Sequence, residues 1–248
     1  MCRLFLQIGK TIPVHTYEEY IAACEDYKGR DKLDNHEHNE LKLFDHKDGY
    51  GYAYIKNEHF EVRRFSESII ERNPIEDWKK IQTNILLAHA RRASPNIKVT
   101  LQNNHPFYWY NGDEYVFIHN GTIKTQITNF DKQKFFVRGT TDSERYFYTL
   151  LTAMRENEWR LSKDMVKNIL DNWDYTGANF ILSSQNKAWV GVFCRKHPKY
   201  YTMKLYRNET SLVVSSSYLP SLGEPKELIP NGSLIEIDIN SQQYFYHE

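Results

Sequence analysis

The chain has 248 residues with 32 Lys plus Arg against 32 Asp plus Glu, and its charge balance and sequence pI near 7.2 argue against binding nucleic acid or a membrane surface through net charge. This length suffices for one large core and requires no second domain, and no apolar run approaches the ~20 residues of a membrane span. The N-terminus lacks a basic-then-apolar signal pattern, so a cytoplasmic protein acting on a small molecule is expected.

Arg3–Ile8 opens the chain as a strand-like apolar run behind Met1-Cys2, and a helical pattern follows over Thr16–Tyr27. Glu25–Asp48 is dense in charge and histidine and reads as a long surface loop. His36, His38 and His46 lack the carboxylate or cysteine pattern that completes a metal site, so solvated loop histidines are expected. Strand patterns then occupy Tyr50–Ile55, Phe60–Phe65 and Ile85–Ala90, with a proline-started helix predicted over Pro74–Asn84. Tyr115–His119 is a further strand, and a helix over Asp142–Arg155 begins on a capping-type aspartate. A helix over Ser162–Asn172 precedes strands at Asn179–Leu182, Trp189–Phe193, Met203–Tyr206, Leu212–Ser215 and Leu234–Ile239, with a proline-centred loop at Leu219–Pro230. Strands outnumber helices without alternating with them, which predicts an α+β layered domain with two sheets.

The cysteines Cys2, Cys24 and Cys194 are odd in number and far apart, so free thiols in a reducing compartment are expected, with Cys24 and Cys194 in the core. Cys2 admits two readings. It is a small apolar residue opening a buried strand, or, once the initiator methionine is cleaved, a nucleophile whose own α-amine, of ordinary pKa roughly 7.7–8.0, takes the thiol proton. A retained Met1 would acylate that amine and leave a silent binder.

Polar residues gather at the ends of predicted elements. Arg91 leaves a core strand in His89-Ala90-Arg91 and is either a surface cap or a fork for a carboxylate. Asn104-His105-Pro106-Phe107 is a proline turn anchored by an aromatic ring. In His119-Asn120-Gly121, a side-chain amide beside a glycine amide is either an Asn-Gly turn or a pair of oxyanion donors. Asp142, in Gly139-Thr140-Thr141-Asp142-Ser143-Glu144, is either a helix cap or a partner for an ammonium.

Taken in order with the Asp48-Gly49-Tyr50-Gly51 turn, these segments resemble the class II, N-terminal-nucleophile glutamine amidotransferases. The likeness extends to the small stand-alone members that begin Met-Cys-Arg and carry Asn-His-Pro-Phe and Gly-Thr-Thr-Asp-Ser-Glu segments. The resemblance implies a four-layer αββα sandwich of the Ntn-hydrolase type with two mainly antiparallel sheets, and a single glutaminase domain over 1–248. It implies Cys2 as nucleophile, Asn120 and Gly121 as the oxyanion hole, Arg91 on the substrate α-carboxylate and Asp142 on its α-ammonium. No metal or organic cofactor is implied. The expected substrate is glutamine or a γ-glutamyl amide. Ammonia would pass to a separate synthase or partner subunit, or a stand-alone hydrolase would cleave γ-glutamyl peptides of glutathione and thiol metabolism. Arg92 and Tyr50 depart from the aromatic and the tryptophan common in relatives, which touches the pocket lining rather than the core chemistry.

Overall fold

The computed structural model describes residues 2–9, 12–25, 46–94 and 97–248. Thirteen strands can be traced in them: β1 (Arg3–Gly9), β2 (Tyr50–Lys56), β3 (His59–Phe65), β4 (Ile85–Ala90), β5 (Phe107–Tyr110), β6 (Glu114–Ile123), β7 (Tyr175–Ser183), β8 (Lys187–Val192), β9 (Met203–Arg207), β10 (Ser211–Ser215), β11 (Glu227–Ile229), β12 (Ser233–Asp238) and β13 (Tyr244–Tyr246). They form a seven-stranded sheet in the order β11-β9-β10-β1-β4-β2-β3 and a six-stranded sheet in the order β13-β12-β8-β7-β6-β5. Every pairing is antiparallel.

The apolar runs read from the sequence are continuous because both faces of the central strands are covered. On β1, Leu4, Leu6 and Ile8 point into the layer between the sheets, where they meet Val116 and Ile118 of β6. Phe5 points outward onto helix α1 (Val14–Glu25), against Tyr17 and Tyr20. The same alternation on β6 sends Phe117 outward, against Tyr146 and Phe147 of helix α4 (Asp142–Glu156). Fully buried side chains of this size contribute ~1.5–3 kcal/mol each, so the three apolar layers dominate the energetics. Helix, sheet, sheet and helix thus stack in the four layers of an αββα sandwich of the Ntn-hydrolase type.

Between β3 and β4 lie only two single-turn helices, α2 (Ile69–Arg72) and α3 (Ile75–Trp78), which corrects the predicted helix over Pro74–Asn84. The backbone beyond Trp78 tightens into i→i+3 bonds, and Thr83 Oγ1 bonds both the N–H and the carbonyl of Ile85, a side-chain alternative to a helical turn. Helix α5 (Lys163–Asp171) falls inside the predicted span Ser162–Asn172, with Ser162 outside the helix as its cap, and a last turn, α6 (Pro198–Tyr201), precedes β9. The predicted proline-centred loop at Leu219–Pro230 contains β11, and β13 follows the last predicted strand; the apolar pattern signals neither of these three-residue strands.

Of the three loop histidines, His36 and His38 lie outside the described residues. His46 is fully buried, with Nδ1 3.1 Å from the Cys24 carbonyl, so it is a packed side chain and not a solvated one. Cys24 and Cys194 are buried free thiols, and burial pushes Cys194 up to about 11. Among the described residues no helix is long and apolar enough to cross a membrane.

Candidate active site

Strand register creates the site. Arg3 of β1 pairs with Ala90 of β4, which sets Cys2 opposite Arg91 as the two strands run out. Cys2 continues the inward alternation of Leu4, Leu6 and Ile8, and Asn120 continues that of Val116 and Ile118, so both belong to the layer between the sheets. They meet there: Cys2 N donates to Asn120 Oδ1 at 2.7 Å. Asn120 is fully buried, and its Nδ2 has no hydrogen-bond partner among the described residues. An amide anchored through its oxygen and left with its donor unspent is fitted to receive a negative oxygen beside the thiol. Cys2 is itself 7% exposed, with Sγ 3.9 Å from the Arg92 carbonyl, and Tyr200 Oη donates to its carbonyl oxygen at 3.3 Å.

His119-Asn120-Gly121 is not a turn. It lies within β6, with Asn120 opposite Asn179 and Gly121 opposite Ala178 on β7. A β-carbon on Gly121 would fall 1.7 Å from the carbonyl oxygen of Gly177, so bare backbone is required here by strand packing. The ladder shifts register just beyond it, between Gly121 and Ile123.

Arg91 is nearly buried, and its Nη1 donates to Asn104 Oδ1 at 3.2 Å and to the Asp48 carbonyl at 3.4 Å. It is therefore not a surface cap on β4. Burial pulls the guanidinium below its ordinary pKa, while neighbouring Cys2, Asp48 and Asp142 act in the opposite sense. Asn104 Nδ2 in turn donates to the Phe65 carbonyl at 2.7 Å. Gly49, at φ +99°, passes so close to Asn104 that a β-carbon would lie 2.2 Å from that amide. The Asp48-Gly49 turn and Asn104 thus hold Arg91 from two sides. The sequence pattern alone places Asn104 only in a proline turn.

Asp142 is the first residue of α4 and not its cap. Thr141 is the cap, its Oγ1 accepting from Glu144 N at 3.3 Å. Asp142 Oδ2 accepts from Ile123 N at 2.7 Å and Oδ1 from Ser143 N at 2.9 Å. The carboxylate is thereby fixed to β6, three residues from Asn120, and half-buried. Glu144 does not close a capping box on Thr141; its oxygens accept from Arg138 N and Gly139 N at 3.0 and 2.7 Å, fixing the approach to α4.

Further side chains support these groups. Ser216 Oγ accepts from Leu4 N at 2.9 Å and Ser216 N donates to the Leu4 carbonyl at 3.0 Å, stapling β1 two residues after Cys2. The sequence pattern predicts only the strand over Leu212–Ser215 here and does not reach Ser216. Behind Asn120 sit three buried histidines. His89 Nε2 lies 3.1 Å from the His119 carbonyl, His119 Nδ1 lies 2.8 Å from Ser143 Oγ, and the rings of His89 and His105 approach to 4.0 Å between centroids. Burial holds all three below the ordinary histidine range, His119 down to about 4. Among the described residues no three His, Cys, Asp or Glu side chains are grouped as metal ligands.

Residues 36–207 match the family described as class II glutamine amidotransferases, a stretch that holds Arg91, Asn120, Gly121 and Asp142 but begins after Cys2. An uncharacterised protein of Methanocaldococcus jannaschii is 28% identical over 207 residues, covering 77% of this chain and 56% of its own length. The fold is similar to glutamine phosphoribosylpyrophosphate amidotransferase of B. subtilis, with TM-score 0.65 and 15% identity over 100% of this chain and 49% of that one. It is also similar to a glutamine aminotransferase class-II domain protein of Silicibacter pomeroyi, with TM-score 0.60 and 14% identity over 100% of this chain and 99% of that one. The chain spans about half the length of the M. jannaschii and B. subtilis proteins. By its family match and its sandwich of two antiparallel sheets, the chain belongs to the class II glutamine amidotransferases.

Proposed function

We propose that this domain cleaves the γ-amide of glutamine or a γ-glutamyl compound through a thioester on Cys2. With Met1 removed, the Cys2 α-amine takes the thiol proton, and sulfur attacks the γ-carbonyl carbon. The new C–S bond forms as the carbonyl electrons move onto oxygen, where Asn120 Nδ2 and the Gly121 N–H donate. Collapse breaks the C–N bond, the α-ammonium returns its proton to the departing ammonia or amine, and water then adds to the thioester to release glutamate and the thiol. Arg91 takes the substrate α-carboxylate and Asp142 its α-ammonium. In this reading residues 1–248 act as one glutaminase domain in the cytoplasm, and free ammonia is handed to a separate synthase or partner subunit.

The observation that carries the reading is the Cys2–Asn120 bond at 2.7 Å together with the unpartnered Asn120 Nδ2. The test is glutamate release by mass-checked protein starting at Cys2, offered glutamine and, separately, γ-glutamyl peptides. Release from glutamine that vanishes in Cys2→Ala supports a glutaminase; release confined to a peptide identifies a stand-alone hydrolase. Equal release by Cys2→Ala would overturn the reading, and binding without release would leave a silent γ-glutamyl binder.

A further inference from the structure

A cavity opens where the two sheets end on the same side of the sandwich. β3 is the outermost strand of the seven-stranded sheet and β5 that of the six-stranded sheet, and a cavity of about 480 Å³ lies against both. None of Cys2, Arg91, Asn120, Gly121 and Asp142 lines it. Its size falls in the ~300–1,000 Å³ range of small-molecule sites.

The charges at this cavity are unbalanced. Arg64, Arg138 and Lys134 line it with one carboxylate, that of Glu144. Glu144 is already occupied by the N–H groups of Arg138 and Gly139. Arg64 is half-buried, and among the described residues neither it nor Arg138 has an ion pair or hydrogen bond through its guanidinium. Burial first, and then the Arg138 charge, push the Arg64 guanidinium below its ordinary pKa, while Glu144 and Tyr148 act in the opposite sense. Two neighbouring cations held this way are relieved by an oxyanion that accepts from both forks.

The walls are aromatic as well as basic. Four of the nine large hydrophobic side chains exposed among the described residues line this one cavity: Phe136 at 82%, Tyr110, Leu101 and Tyr108. Such a concentration marks a binding surface more than scattered surface residues do. Guanidinium planes and aromatic rings both stack on a flat π-system.

We propose that this cavity is a binding site for a small planar-ring ligand that carries an oxyanion. Arg64 and Arg138 take the anionic head, and Phe136 with the tyrosines of β5 takes the ring. The anion is a phosphate or a carboxylate, the chemistry the two forks share. The proposal is independent of the Cys2 reaction, so the test uses the full chain with Cys2→Ala, in which turnover cannot consume a probe.

Calorimetric titrations compare adenosine 5′-monophosphate with adenosine and with inorganic phosphate, and N-benzoylglycine with its neutral amide. At least one ring anion is expected to bind tenfold or more tightly than both its neutral counterpart and phosphate alone; the winning pair identifies phosphate or carboxylate as the head. Arg138→Gln, at an exposed position, and Arg64→Gln are each expected to weaken that binding tenfold or more, and Phe136→Ala at least threefold. Circular dichroism melts establish that each variant is folded, and Arg138→Gln alone decides the matter if Arg64→Gln does not fold. Failure of both ring anions to outbind their neutral counterparts, phosphate binding as tightly as the nucleotide when that is the better anion, or unchanged affinity in folded Arg138→Gln would each overturn the proposal.

Discussion

Asn120 accepts from the Cys2 nitrogen through Oδ1 at 2.7 Å and keeps Nδ2 without a partner inside the layer between the sheets. One side chain therefore both positions the proposed base and holds a donor ready for the oxyanion. Asn120→Ala removes both, and turnover is expected to fall by roughly 10²–10³-fold, the loss typical of one oxyanion donor. Steady-state kinetics on glutamine check it. A changed KM with unchanged kcat would show that Asn120 acts in substrate capture instead.

Arg91 and Asn104 give a prediction of opposite kind. If Arg91 takes the substrate carboxylate, Arg91→Ala is expected to weaken capture by on the order of 2–5 kcal/mol. Asn104 spends its side-chain amide on Arg91 and the Phe65 carbonyl, so Asn104→Ala should act through the placement of the guanidinium. Losing one hydrogen bond to a charged group, ~1.5 kcal/mol at the low end, predicts a KM rise of about tenfold. Turnover at saturation should stay within about twofold. A fall in kcat at constant KM would remove Asn104 from this positioning role.

Reading the sequence recovers elements whose signal is local and repeated. β1 and β4 were legible because both faces are buried, so six or seven consecutive residues are apolar or enclosed. Positions that answer to distant chain were not. Asn120-Gly121 carries the dipeptide signal of a hairpin turn, but Gly177 lies against it, and the strand runs through. Asp142 looks like a helix cap by type, yet Thr141 takes that place one residue earlier and frees the carboxylate for Ile123. The ordered motifs pointed to the family. The grip of Asn104 on Arg91 and the Ser216 staple on Leu4 were not legible, because each joins residues that only the folded sheets bring together.

The Gly121–Gly177 contact is testable through stability alone. A β-carbon at Gly121 would meet the Gly177 carbonyl at 1.7 Å and its carbon at 2.2 Å, both backbone atoms within a paired strand. No rotamer change relieves that overlap, so strands must part. Gly121→Ala is expected to cost about 3 kcal/mol, at the upper end of ordinary overpacking, read as a lowered urea midpoint at unchanged slope. Gly112, at φ +103°, has open space where a β-carbon would point. Gly112→Ala should therefore cost less, through backbone strain alone. Equal losses would mean that the contact between the paired strands is not what requires glycine at 121.

The histidine cluster predicts how stability responds to pH. His89, His105 and His119 are held below the ordinary value of about 6.5 by burial, His119 down to about 4. A base whose folded pKa is depressed stays neutral in the native state while the unfolded chain takes up a proton. Stability is then fully present above pH ~6.5 and is lost as the pH falls below it, until the folded pKa is reached. Each such histidine contributes a slope of up to about 1.4 kcal/mol per pH unit within that window. Both ring nitrogens of His105 lack partners among the described residues, so His105→Leu sacrifices no hydrogen bond seen there. Urea unfolding at pH 7, 6 and 5 is expected to show a steep loss for the parent protein. The slope for His105→Leu between pH 6 and 5 should be shallower by about one proton, because the variant leaves the unfolded chain one fewer imidazole to charge. An unchanged slope would mean that His105 already carries its proton in the native state, and the cluster would then be a charged one.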